Sequence, residues 1–247
     1  MLFVIAADCY DCNGKSTVNF QEIIKNVMKA AGLCLGLGRI GFVLLTGSSL
    51  RETMEALKSC PVNIEDFDAI ICNSGSEMYY PWRDMVADLD YEAHVGQTSG
   101  SRSYSYIIKP GAKTRKVDEI RQRLRMRGFR CNLVYTRAAS RLNVIPLFAS
   151  RKQALRYLSV KWGIDLSKIF VFVGEKGDTD YEELLAGLHK TIIMRGSVGY
   201  GSEKLLRSQD SFKREDIVPQ ESPSLGFVEE NYEVHDLSAA LEALGIK

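Results

Sequence analysis

No stretch of this 247-residue chain is long and apolar enough to cross a bilayer; the longest apolar runs, such as Ile169–Val173, have the length of a strand. Net charge is almost absent too. The 32 Lys and Arg against 31 Asp and Glu leave +1, so no global field draws the chain to nucleic acid or to an anionic membrane. The first residues lack a basic segment ahead of the apolar run and meet a charge at Asp8, which argues against a secretory signal peptide. Met1 abuts the first apolar run with no lead-in, which fits either a free-standing protein or a domain of a longer chain. The six cysteines (9, 12, 34, 60, 72 and 131) show no paired framework, as expected of reduced thiols in a cytoplasmic protein. Internal repeats and low-complexity tracts are missing as well.

Apolar residues make up 45% of the chain and charged residues 26%, enough for a sizeable core in one large domain or two small ones. Continuous apolar runs at 2–6, 42–45, 69–72, 169–173 and 191–194 predict buried strands. Between them, residues 20–31, 50–58, 151–162, 181–188 and 237–244 read as helices; 20–31 places Phe20, Ile23, Ile24, Val27 and Met28 on one face. This alternation predicts an α/β fold: a Rossmann-like, doubly wound, mostly parallel core sheet covered on both faces. After Trp82 the pattern changes to strands at 104–108, 129–135 and 141–145 around one basic helix at 117–127, a small α+β cap domain inserted in the core. The expected division is therefore 1–81 and 149–247 for the core and 82–148 for the cap. Residues 207–233, polar and carrying Pro219 and Pro223, read as a long surface excursion.

Three motifs carry less than their letters suggest. Gly36-Leu37-Gly38-Arg39-Ile40-Gly41 spells a dinucleotide fingerprint, but it lies after a helix and before a strand, the reverse of what pyrophosphate binding needs. Cys9-Tyr10-Asp11-Cys12 lacks both the second pair of a structural zinc site and the helix start of a redox pair. Arg121, Arg123, Arg125 and Arg127 are two residues apart, which scatters them around a helix instead of along one stripe, and no aromatic residues interleave for base stacking.

The strand ends say more. The first strand runs into Asp8, a carboxylate where open α/β sheets bind ligands. A large class of phosphate-transfer enzymes needs a second carboxylate two residues on, and that place holds Tyr10. Thr46-Gly47-Ser48-Ser49 follows the second strand and offers a hydroxyl and backbone N–H groups at a helix start. Gly174 to Asp180 follows the 169–173 strand and offers oxygen ligands for a hard cation. Arg151-Lys152 opens the preceding helix with positive charge.

In these segments the chain resembles the haloacid-dehalogenase-like phosphatases, and within them the sucrose-6-phosphate phosphatase group. The family's first motif falls on Ala7-Asp8-Cys9-Tyr10, its second on Thr46-Gly47-Ser48, its third on Ala149-Ser150-Arg151-Lys152 and its fourth on Gly174-Glu175-Lys176-Gly177-Asp178. The group's sugar-side signature is matched by Ser74-Gly75-Ser76-Glu77-Met78-Tyr79-Tyr80-Pro81. Departures at the first and fourth motifs, with Arg102-Ser103-Tyr104-Ser105-Tyr106 and Phe212-Lys213-Arg214-Glu215-Asp216-Ile217, resemble the carboxy-terminal phosphatase-like domain of plant sucrose-phosphate synthases. The likeness covers nearly the whole chain, with a cap that is short near 96–100.

The resemblance implies Asp8 as the nucleophile position, Tyr10 in place of the general acid/base, and Arg151 in place of a lysine. Thr46, Gly47, Ser48 and Lys152 would hold phosphate, and Gly75, Ser76, Glu77 and Tyr79 the sugar. Asp8, Glu175 and Asp178 would hold Mg²⁺. A phenol with a pKa of about 10 is a poor base at neutral pH, and losing acid–base help costs roughly 10²–10⁴-fold. A silent module that binds sucrose 6-phosphate or a related sugar phosphate is therefore expected ahead of an active phosphatase or a purely structural domain. The implied protein partners are a sucrose-phosphate phosphatase and an upstream synthase domain; neither nucleic acid nor a membrane is expected.

Overall fold

The computed structural model describes residues 1–7, 9, 18–33, 38–96, 103–107, 116–136, 141–174, 189–194, 225–228 and 232–246. The expected strands and helices form within a residue or three of their predicted bounds. They are β1 (Leu2–Ala6), α1 (Val18–Leu33), β2 (Gly41–Leu45), α2 (Leu50–Lys58) and β3 (Ala69–Cys72), followed by β4 (Glu77–Tyr80), β5 (Val86–Ala87) and α3 (Leu89–His94). The second part comprises β6 (Tyr104–Ile107), α4 (Lys116–Met126), β7 (Cys131–Thr136), β8 (Arg141–Pro146), α5 (Arg151–Trp162), β9 (Ile169–Val173), β10 (Lys190–Met194), β11 (Leu225–Val228) and α6 (Val234–Ala243). The helix expected at 181–188 lies outside the described residues.

Among the described residues, eight strands form one sheet in the order β11-β10-β9-β1-β2-β3-β4-β5. The six from β11 to β3 are parallel, and β4 and β5 add an antiparallel edge. Alternation along β1 divides the core in two: Phe3 and Ile5 join α1, α2 and α6 on one face, while Leu2, Val4 and Ala6 join α5 on the other. Phe3 anchors the first face, with the rings of Phe42, Phe170 and Phe172 at 6.1, 5.7 and 5.2 Å. β6, β8 and β7 form a separate antiparallel sheet with α4 against β7.

One expectation changes. Within the supposed excursion at 207–233, Leu225–Val228 is a strand, paired in register with Thr191–Met194 and placing Val228 in the core. A Cβ at Gly226 would meet the Leu244 and Ile192 side chains at 3.4 and 3.5 Å, ordinary packing distances. The dinucleotide-like stretch lies between α1 and β2, as expected, and its described residues, 38–41, begin no helix.

Strand order reverses at β1: the chain proceeds to β2 and β3 on one side, and to β9, β10 and β11 on the other. Ligands bind outside the carboxyl ends of the strands at such a switch point.

Candidate functional site

Two loops at the carboxyl end of the sheet are stitched together by their backbones. Thr46 N–H donates to Ile71 O (2.9 Å), Asn73 N–H to Ser48 O (2.9 Å) and Ser74 N–H to Thr46 O (3.1 Å). Thr46 is fully buried; its Oγ1 accepts from Ser48 N–H (3.2 Å) and lies 3.6 Å from Cys9 Sγ. The hydroxyl is thus fixed at the end of β2, beside the end of β1.

The 73–75 turn takes left-handed backbone at Asn73 (φ 48°), Ser74 (φ 56°) and Gly75 (φ 89°). Such conformations concentrate where surrounding structure imposes them. Gly75 has a second constraint: a Cβ there would stand 2.4 Å from Ser150 C and O and 2.6 Å from Arg151 N. The turn therefore lies directly under the first residues of α5. Ser150 caps that helix by accepting from Gln153 N–H (3.2 Å), and Arg151 follows with 0% exposure. A guanidinium buried this completely has to be paired, because an isolated charge away from water is too costly. Lys152, next on the helix, is half-buried.

The sugar-side residues are braced by the protein itself. Glu77 Oε2 accepts from Tyr79 OH (2.9 Å), and Glu77 Oε1 from Ser103 Oγ (2.6 Å), which in turn accepts from Asn73 Nδ2 (3.0 Å). Burial and the adjacent Glu77 carboxylate push the Tyr79 phenol well above its ordinary range. Ser76 is fully buried, and its Oγ has no hydrogen-bond partner among the described residues.

The second sheet reaches into the same loops through β8. Asn143 Nδ2 donates to Gly47 O (2.8 Å) and Ser74 Oγ (3.2 Å), tying both loops to one buried side chain. Two residues earlier on the same strand face, Arg141 forks onto both oxygens of Glu52 at 2.6 Å each. Glu52 is also the third residue of α2 and closes its capping box, accepting from Ser49 N–H (2.9 Å) and Ser49 Oγ (2.8 Å). Burial alone would raise its pKa; the Arg141 fork and the Ser49 bonds overcome that and hold it below the usual glutamate range. Asn143, Arg141, Glu52 and Ser103 were not singled out in the sequence. The available signal was two polar residues, 141 and 143, on one face of an otherwise apolar strand.

The structure therefore brings Thr46, Gly47, Ser48, Gly75 and Arg151 to one end of the sheet, with Glu77 and Tyr79 beginning the adjoining β4. Asp8, Tyr10, Glu175 and Asp178 lie outside the described residues. The strand ends that precede them, at Ala7 and Gly174, are adjacent, and Gly174 N–H donates to Ala6 O (2.8 Å). Among the described residues no three His, Cys, Asp or Glu gather as a metal site.

Residues 97–215 match the family model described as sucrose-6F-phosphate phosphohydrolase. Sucrose-phosphate synthase 4 of Arabidopsis thaliana is 56% identical over 277 positions, which take in all of this chain and 26% of the relative. The chain thus spans about a quarter of the length of that relative. Among solved structures, a sucrose-phosphatase from Synechocystis, in complex with sucrose and phosphate, superposes with a TM-score of 0.68 at 14% identity, covering 98% of this chain and 97% of its own. A haloacid-dehalogenase-like hydrolase from B. subtilis gives 0.53 at 11% identity, covering 99% of each. Family model, relatives and fold agree: this chain carries the sucrose-phosphatase-like domain of the plant sucrose-phosphate synthases, on a haloacid-dehalogenase-like fold.

Proposed function

We propose that this domain binds a sugar phosphate, sucrose 6-phosphate foremost, without hydrolysing it efficiently, and so acts in sucrose biosynthesis as a ligand-sensing module. The observation that carries this reading is the convergence at one switch point of the Thr46–Ser48 loop, the Ser74–Gly75 turn and the Arg151 end of α5. The solved sucrose-phosphatase of the same fold was obtained with sucrose and phosphate, which supports a sugar phosphate as the ligand class. Positive charge from Arg151 and Lys152 at a helix start suits the phosphate, and the Glu77 side of β4 suits sugar hydroxyls.

Tyr10, in the place where the resembling phosphatases carry their acid/base carboxylate, argues against efficient turnover. Mg²⁺, if taken up, would be held by Asp8, Glu175 and Asp178 and would neutralise phosphate charge. Glu175, one methylene longer than the family's aspartate, suits tight octahedral coordination poorly.

The test is a thermal-shift titration with sucrose 6-phosphate, with and without Mg²⁺, while phosphate release is followed. A saturable rise in Tm without release is expected. Release abolished by Asp8→Asn would establish an active phosphatase instead, and no shift with no release would leave a structural domain.

A further inference from the structure

The opposite, amino end of the sheet carries an exposed aromatic face that ligand binding does not use. Trp82 is 62% exposed although its Nε1 donates to Asp68 O (3.0 Å), and Arg83 lies over its ring at 5.7 Å. Behind it stands buried Tyr80, with its ring 5.6 Å from Trp82 and 6.3 Å from Trp162 at the end of α5. Val86, paired with Tyr80 on the edge strand β5, and Leu89 are exposed beside them.

This face has a rigid floor. Buried Asp88 accepts from Tyr80 OH, Lys161 Nζ (2.7 Å), Tyr157 OH (3.1 Å) and Tyr91 N–H (3.1 Å). Lys161 Nζ sits 5.3 Å from both the Tyr80 and Tyr157 ring centres. Exposed Trp on a fixed support, at the β5 edge of the sheet, has the character of an interface core.

The position of the amino terminus indicates what covers it. Met1 N donates to Arg39 O (3.2 Å), Arg39 pairs with Asp68 (3.3 Å), and the Asp68 carbonyl receives the Trp82 indole. Polypeptide preceding Met1 would therefore arrive three contacts from Trp82. The Arabidopsis relative has nearly three-quarters of its length outside the stretch matched by this chain.

We propose that the Trp82–Val86–Trp162 face is the docking surface for the polypeptide that precedes this domain in synthase-length chains. Docking there leaves the carboxyl-end ligand site open, and the proposal stands whether or not that site binds sugar phosphate.

The experiment is hydroxyl-radical footprinting of two proteins: this 247-residue chain, and a full-length chimera in which it replaces the matched stretch of the Arabidopsis relative. Trp82 oxidation is expected to slow at least fivefold in the chimera. Met126, 81% exposed on α4, should react equally in both. Val86→Asp, a change at an exposed edge position, should restore Trp82 reactivity in the chimera while leaving its Met126 rate unchanged. Equal Trp82 rates in the two proteins would overturn the proposal. So would concentration-dependent Trp82 protection in the isolated chain, which would assign the face to a second copy.

Discussion

Replacing Gly75 by alanine puts the packing of the 73–75 turn against α5 to a quantitative test. A Cβ at residue 75 would stand 2.4 Å from the Ser150 carbonyl and 2.6 Å from Arg151 N, about 1 Å inside ordinary van der Waals contact. Those neighbours are backbone atoms at a capped helix start, so no side chain can swing aside. Left-handed backbone at φ 89° adds about 1–2 kcal/mol for any residue with a Cβ. Together these predict a loss of about 3–5 kcal/mol, at the top of the range for single substitutions. For a chain of this size that is a Tm lower by roughly 6–20 °C. Gly163, which ends α5 at φ 63° with nothing within 4 Å of its Cβ position, supplies the control: Gly163→Ala should lose only about 1 kcal/mol. Urea denaturation of both variants measures the difference, with m-values unchanged. Equal losses would refute the steric reasoning, leaving backbone conformation as the whole effect.

Arg141→Met should destabilise the protein by about 1–3 kcal/mol, because it removes a bidentate, largely buried partner of Glu52. Glu52 has a depressed pKa in the folded state, so the pair's contribution is complete above the ordinary glutamate pKa of about 4.3 and is lost as pH falls through the lower folded value. The variant's stability should therefore fall less steeply than the parent's in acid, which denaturation midpoints between pH 3 and 6 would show. Tyr10→Asp should raise phosphate release from sucrose 6-phosphate by roughly 10²-fold or more if the missing acid/base is what silences the site; an unchanged rate would move the defect to other positions.

Much of the core was legible because buried parallel strands announce themselves. Leu2–Ala6, Phe42–Leu45 and Ile169–Val173 are apolar without interruption, as strands covered on both faces must be. The antiparallel edge was not. β4 mixes Glu77 and Tyr79 with Met78 and Tyr80 over only four residues and β5 has two residues; at the opposite, parallel edge β11 is four residues with a glycine, set between polar flanks. Such pieces hold their form through pairing and burial, which composition does not reveal. The same holds at the site. Thr46, Gly75 and Arg151 were singled out by motif and stand at one end of the sheet, while the Arg141–Glu52 fork and the Asn143 bonds join residues 89 and 96 apart in sequence. No local pattern encodes a contact of that range.

Gly75 also bears on how motifs are inherited. Its missing side chain is demanded by the α5 backbone, and buried Thr46 is demanded by the loop it stitches, whether or not phosphate is ever cleaved. Letters of this kind are kept for stability alone, because losing them destabilises the domain. Letters whose only duty is proton transfer or metal coordination carry no such penalty and are the first to drift. A signature intact at Thr46 and Gly75 and altered at 10 and 175 is the pattern that the proposed binding without efficient hydrolysis would leave.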